Sequence, residues 1–319
     1  MRHLRPRTLA EALRLLDELD ESATPFTLIA GATDVVSQAK ITGRPTGTLV
    51  SLTLIEELRG IHRGAGSDST LRIGALTSVA DLASDPSLPP GLAEAARMVA
   101  SPQIRNRASV GGNLLADRRC VFFNQSDQSR EAHGSCFKAG GDACHLVPGA
   151  RPPGEGPQLT CRARLISDLA PCLIALDAKI LVAWSRGTRT LPLAELYRPD
   201  GIDRHSLSRR EIILSIEIAR ADAKALHYEK LRIRNTLDFP SLGVALAREK
   251  NLGSTQLTYR LALTGLDGAA PPFSGTATHE QASDLVLRLA SEATRIVKPL
   301  KQDFFSPSYR RRMIAVLAG

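Results

Sequence analysis

Four of the chain's five cysteines, Cys120, Cys136, Cys144 and Cys161, fall in one polar stretch rich in glycine and proline. They are separated by 15, 7 and 16 residues, and neither helical nor strand periodicity persists from Arg118 to Arg164. Four soft thiolates hold either zinc or a [4Fe–4S] cluster. Met1-Arg-His-Leu-Arg-Pro6 lacks the apolar region of a secretory leader, so a reducing, cytoplasmic setting is expected and the grouping favours metal or redox chemistry over disulfides. No Cys-x-x-Cys pair recommends zinc. Taken alone, the spacing leaves iron–sulfur, zinc and unrelated cysteines open.

Two turns of small residues could do a second kind of chemistry. Leu28-Ile29-Ala30-Gly31-Ala32-Thr33-Asp34 and Ser109-Val110-Gly111-Gly112-Asn113-Leu114 would both let backbone N–H groups approach an anion closely, and a pyrophosphate is a natural ligand for such amides. Neither turn matches Gly-x-Gly-x-x-Gly or a P-loop, which leaves Rossmann and nucleotide-hydrolase chemistry unsupported. As isolated glycine turns, either one reads as structural.

The elements that must position these groups are legible from periodicity. Leu9 to Leu19 is helical, Phe26 to Ala30 a strand, Val35 to Gln38 a short helix, Thr48 to Leu52 a strand and Ile55 to Leu58 a helix. Leu71 to Ala75 is extended. Thr77 is placed to cap a helix over Val79 to Leu82, and Gly91 to Ala100 reads as a helix closed by Pro102. Beyond the cysteines come a helix at Asp168 to Leu176, a strand at Lys179 to Trp184, a turn at Arg186 leading into another strand, a short helix at Leu193 to Leu196 and an alternating strand at Glu211 to Ile218. Ala219 to Ala223 breaks the pattern. Strands follow at His227 to Ile233, Leu242 to Arg248 and Leu257 to Leu263, then helices at Glu280 to Val297 and Tyr309 to Leu317. The Pro/Gly-rich patch Pro148 to Pro157 sits inside the cysteine segment.

With 319 residues and 43% hydrophobic content the chain can bury a large core in two or three domains. The aromatic content is 4% and no apolar run reaches membrane-spanning length, so neither a nucleic-acid stacking platform nor a membrane span is indicated. The formal charge is +8, but the bases are dispersed. They read as a solvated surface, or more weakly as attraction for an acidic partner.

In this order and separation, the two glycine turns resemble those of the flavoprotein subunits of the molybdenum hydroxylase family, the relatives of xanthine dehydrogenase and carbon monoxide dehydrogenase. The family's Ala-Gly-Gly-Thr-Asp is matched by Ala30 to Asp34, with Ala32 replacing a glycine, and its Thr-Ile-Gly-Gly-Asn by Ser109 to Asn113. A turn of negative φ would accept Ala32 and one of positive φ would resist it. Ser167-Asp168-Leu169-Ala170-Pro171 resembles the end of the family's segment whose Asp approaches the flavin. Tyr228-Glu-Lys230, with Arg234 and Asp238, resembles the strand that brings a lysine near the isoalloxazine, and Ser306 to Arg310 the terminal helix. An insertion with four cysteines at this position is most similar to the β subunits of 4-hydroxybenzoyl-CoA reductases.

The resemblance implies an α+β fold with a two-part FAD-binding domain, an inserted iron–sulfur loop and a C-terminal α+β domain: residues 1–55, residues 56–219 with the insertion at 118–164, and residues 220–319. It implies FAD held by Ile29, Ala30, Gly31, Ala32, Thr33, Asp34, Ser109, Val110, Gly111, Gly112, Asn113, Asp168 and Lys230. It also implies a [4Fe–4S] cluster on Cys120, Cys136, Cys144 and Cys161, with Cys172 in the core. The chain would be an electron carrier in an oxidoreductase of aromatic degradation. Its partners would be a large molybdopterin subunit, a small [2Fe–2S] subunit and a ferredoxin-like donor, in a dimer of heterotrimers with no nucleic acid and no membrane. Arg118, Arg119, Arg130 and Lys138 are candidates for steering that donor. A dehydrogenase passing electrons outward, or a zinc-stapled interaction subunit, are the rival expectations.

Overall fold

The structure is a computed structural model that describes residues 2–64, 69–147, 160–266 and 272–319. The Pro148 to Pro157 patch lies outside the described residues. The chain begins with β1 (His3–Leu4), α1 (Leu9–Glu21), β2 (Phe26–Ile29), α2 (Val35–Thr42) and β3 (Thr48–Ser51). Strands β1 and β2 both pair with β3 in parallel, giving a three-stranded sheet of order β1-β3-β2. Thr8 opens α1 by accepting from the Glu11 N–H, and its Ala12, Leu13, Leu16 and Leu19 face the sheet at helical spacing.

The middle of the chain contributes β4 (Ile61–Arg63), β5 (Leu71–Gly74), α3 (Val79–Ser84), α4 (Pro90–Arg97), α5 (Pro102–Arg105), α6 (Val110–Leu114) and α7 (Asp127–His133). It continues with α8 (Leu169–Ala175), β6 (Lys179–Trp184), β7 (Gly187–Pro192) and β8 (Ile212–Ile218). Its antiparallel sheet runs β4-β5-β8-β6-β7. Helices α3, α4 and α8 cover it, with every residue of α8 buried.

The last sheet is formed by β9 (Lys224–Leu231), β10 (Leu242–Lys250), β11 (Leu257–Thr264) and β12 (Phe273–Ala277), with α9 (Ala282–Ile296) and α10 (Pro307–Ala318) behind it. Alternation sends Ala245, Ala247 and Ala262 toward the α4 and α8 layer, and Val244, Leu261 and Leu263 toward α9 and α10. The small residues on the first face let α8 approach β10 and β11. This layering is the expected α+β class.

Three sequence expectations change. Ser78, not Thr77, caps α3 by accepting from the Asp81 N–H, while the Thr77 hydroxyl donates to the Gly60 carbonyl. Pro102 does not close the preceding helix, which ends at Arg97; it opens α5 behind the Ser101 cap, where a missing N–H costs nothing. The cysteine segment is not without periodic structure, since Ser126 caps α7 within it. Strands β1, β4 and β12 were not expected.

Candidate functional site

The first glycine turn leaves the carboxyl end of β2 and leads into α2. Gly31 is required by packing: a Cβ there would lie 1.7 Å from the Arg107 carbonyl oxygen. Ala32 has φ of +59°, so the substituted position lies in the left-handed region that an alanine resists. None of the described residues accepts from the backbone N–H groups of Ala32, Thr33, Asp34 or Val35. They remain available to an anion.

The second turn is built differently. The Val110, Gly111 and Asn113 N–H groups donate to the Thr77, Ala75 and Ser109 carbonyls, and the Gly112 N–H donates to Ser109 Oγ. The expectation that both turns offer free amides therefore holds only for the first. The second contributes close approach, with Gly111 against Ala75.

The two turns face each other across a cavity of about 480 Å³. Of the predicted flavin contacts, Ile29 to Asp34, Ser109, Gly111, Gly112, Asn113 and Asp168 line it. Val110 and Lys230 do not. Val110 is fully buried in the central core, because it points inward from α6. Lys230 sits behind Asp168: its Nζ donates to Asp168 Oδ2 at 3.0 Å and to the Met98 carbonyl at 3.0 Å. The Tyr228 hydroxyl donates to Asp168 Oδ1 at 2.7 Å. Burial pushes the Asp168 carboxyl up against the opposing pull of Lys230, and pushes the Lys230 ammonium down. Burial likewise raises the Tyr228 phenol well above its usual range. Tyr228 had no assigned role in the sequence, although its alternation with Lys230 on one strand signals a shared face.

The cysteine segment is closed at its neck by a two-residue bridge in which Arg119 and Arg164 exchange backbone hydrogen bonds of 3.1 and 2.9 Å. Beyond the neck, Cys120, Cys136, Cys144 and Cys161 all line one small cavity with Phe122, Phe123 and Lys138. Asn124 Oδ1 holds the Cys120 N–H, Asp200 holds the Cys161 N–H, and a tight turn returns Gly141 N–H to the Cys136 carbonyl. Burial raises the Cys120 thiol and pushes that of Cys161 up to about 11. Metal binding there would have to displace the thiol protons. Among the described residues, no group of three or more His, Cys, Asp or Glu side chains has the arrangement of a single-ion site. Cys172 lies fully buried in the central core, as expected.

The four cations expected to steer a docking partner are buried and cannot do so. Arg118 donates to the carbonyls of Arg198, Pro199 and Arg204, and burial lowers its guanidinium to about 10. Lys138 donates to Asp117 at 2.8 Å and to the Arg118 carbonyl at 3.0 Å. Arg130 donates to the Gln125 and Thr42 carbonyls. Arg119 lines the flavin cavity, ion-pairs with Asp34 and lies over the Phe239 ring. Each serves to fasten the segment to the body of the protein.

Residues 1–220 match the family described as the FAD binding domain in molybdopterin dehydrogenase. The carbon monoxide dehydrogenase medium chain of Hydrogenophaga pseudoflava is 29% identical over 265 residues, covering 82% of this chain and 73% of that one. The nicotinate dehydrogenase FAD-subunit of Eubacterium barkeri is 26% identical over 247 residues, covering 76% of this chain and 66% of its own length. A solved structure of the Hydrogenophaga pseudoflava carbon monoxide dehydrogenase superposes with a TM-score of 0.70 at 25% identity, covering 100% of this chain and 94% of the other.

Proposed function

The chain belongs to the family of FAD-binding domains of molybdopterin dehydrogenases and is an FAD-binding oxidoreductase subunit of that type; from this premise we propose that it is the electron-transfer subunit of a complex like 4-hydroxybenzoyl-CoA reductase. In that reading it carries FAD and a [4Fe–4S] cluster, takes electrons from a ferredoxin-like donor and delivers them to a small [2Fe–2S] subunit and a large molybdopterin subunit for reductive dehydroxylation of an aromatic thioester. The observation that carries it is the convergence of Cys120, Cys136, Cys144 and Cys161 on one cavity, at the end of a neck whose Arg119 also lines the flavin cavity.

The donor set suits an iron–sulfur cluster: four soft sulfurs line the cavity beside the His145 imidazole and no carboxylate, and aromatic walls limit water. The flavin cavity suits FAD through the open amides of the first turn and the close approach of the second. A cluster supplies one-electron chemistry and a flavin joins one- to two-electron steps. The chain's own residues hold the groups: the amides of Ala32 to Val35 the pyrophosphate, and the carboxyl of Asp168, fixed by Tyr228 and Lys230, one wall of the flavin site. We propose the three units 1–55, 56–219 and 220–319, with FAD between the first two, and assembly as a dimer of heterotrimers.

A second reading rests on the relatives, which are named as dehydrogenase subunits: electrons would then leave through the cysteine segment instead of entering. Anaerobic purification with the partner subunits, with iron, zinc and flavin counted per chain and EPR spectra of wild type and Cys136→Ala, tests the cluster. Loss of a [4Fe–4S] signal in the variant with FAD retained supports it. Zinc, or no metal, in the wild type removes it. Assay with an aromatic acyl-CoA against oxidisable heterocycles decides the direction.

A further inference from the structure

Helix α2 is a wall shared by two sites. Val35, Ser37, Gln38 and Ile41 line the flavin cavity. From the same helix and the turn after it, Gln38 accepts from Asn124, the Thr42 carbonyl accepts from Arg130 at 2.5 Å, and Arg44 donates to the Lys138 carbonyl at 2.8 Å. Those three partners span the cysteine segment on both sides of α7. At the start of α2, Asp34 accepts from the Asp117 N–H at 2.9 Å and pairs with Arg119, next in sequence to Cys120. The Arg119 guanidinium therefore touches the open-amide turn, the neck of the insertion and Phe239, which also lines the flavin cavity.

We propose that Arg119 is a positioning residue that couples the two sites, so that filling the flavin cavity orders the cysteine segment and a filled cysteine cavity tightens flavin binding. The coupling is thermodynamic linkage: both sites bias the same element, and whatever one ligand gains by ordering α2 and its turn the other need not supply again. The open amides set the sense of the effect. An anion seated on them fixes the turn, and with it the Asp34 carboxylate that Arg119 must meet. The flavin half of the coupling needs only the shown family property; the reciprocal half rests on the reading of the cysteine cavity given above.

The test uses the full chain, wild type, Arg119→Met, Arg119→Lys and Arg44→Met. Arg44 is exposed and lies outside the flavin cavity, so its variant loosens the tie without touching the flavin site. Amide hydrogen exchange across residues 119–147 is followed with and without FAD, and the Kd for FAD is measured before and after iron–sulfur reconstitution. Expected is protection of the segment by FAD, and FAD affinity raised by reconstitution, each by about 5- to 150-fold, the usual range of site coupling. Arg119→Met should abolish both, Arg119→Lys keep part, and Arg44→Met reduce both with FAD still bound. Protection in wild type that persists unchanged in Arg119→Met and Arg44→Met overturns the proposal, as does the absence of any protection in wild type. If Arg119→Met fails to fold, Arg44→Met decides. Flavin-dependent protection that Arg119→Met abolishes, in a chain that takes up no iron, sinks the cluster reading and leaves the coupling standing. Iron uptake with no protection does the reverse.

Discussion

Lys230 Nζ stands 3.0 Å from Asp168 Oδ2, with the lysine side chain fully shut from solvent and the aspartate nearly so. The carboxyl faces the flavin cavity and the ammonium lies behind it, so the lysine acts on that cavity only through the aspartate. Removing one partner strands the other in a low-dielectric interior. Lys230→Met is expected to cost about 3–5 kcal/mol, the usual range for breaking a buried pair. A raised folded carboxyl contributes stability that is present at low pH and lost as pH rises through the folded value. Burial raises Asp168 and Lys230 opposes that rise, so without the lysine the carboxyl is raised further and this contribution is larger in the variant than in wild type. The variant's deficit should therefore shrink on going from pH 7 toward the ordinary 3.8 of an aspartate. Urea unfolding across that range checks it, and a deficit that does not change with pH would sink the argument.

Gly31 separates two backbones that touch. An added Cβ would fall 1.7 Å from the Arg107 oxygen and 3.2 Å from the Ala108 nitrogen, and backbone cannot give way as a side chain can. Gly31→Ala should force the two turns apart, destabilise the chain by roughly 2–4 kcal/mol and strip it of FAD. Flavin absorbance per chain after gel filtration gives the answer; retained FAD at wild-type stability contradicts the close contact.

Ala32 carries the opposite expectation. At φ +59° an alanine holds a left-handed conformation that costs about 1–2 kcal/mol, while a glycine would add back about 0.5–1 kcal/mol of chain entropy. Ala32→Gly should thus stabilise the protein, by roughly 0.5–1 kcal/mol. A shift of the urea midpoint to lower concentration would show that the turn does not sit as described.

Strong periodicity made α1, β6, β10 and α9 legible, because each has enough residues to repeat an apolar spacing and a core to face. Helix α7 has 7 residues and β4 has 3, too few to show a period against their neighbours. Pro102 was misread because the same residue both ends helices and begins them. The cavity-lining residues of the two glycine turns were legible because close backbone approach demands small residues wherever it occurs. The fates of Arg118, Arg119, Arg130 and Lys138 were not. Arg118 is held by carbonyls of Arg198, Pro199 and Arg204, Arg130 by Thr42, and Arg119 by Asp34, all at least 80 residues away in the chain, and a charged residue in a polar stretch reads as solvated until those partners arrive.

Asp117 gives the attachment of the cysteine segment a pH dependence. Its carboxylate receives Lys138 at 2.8 Å and Arg204 at 3.1 Å. Burial alone would raise it, but Lys138, Arg204 and Arg119 together hold it below the ordinary 3.8. A depressed folded value means that its contribution is complete above the unfolded value and is lost as pH falls through the folded one. Asp117→Asn removes the charge at every pH. The stability gap between wild type and Asp117→Asn should be constant above about pH 5 and close below pH 3.8 as the wild-type carboxylate takes up its proton. Other carboxylates titrate in both proteins and cancel in the difference. Thermal unfolding of the pair from pH 6 to pH 3 measures it; a gap as wide at pH 3 as at pH 6 would mean that Lys138 and Arg204 are not held by this charge.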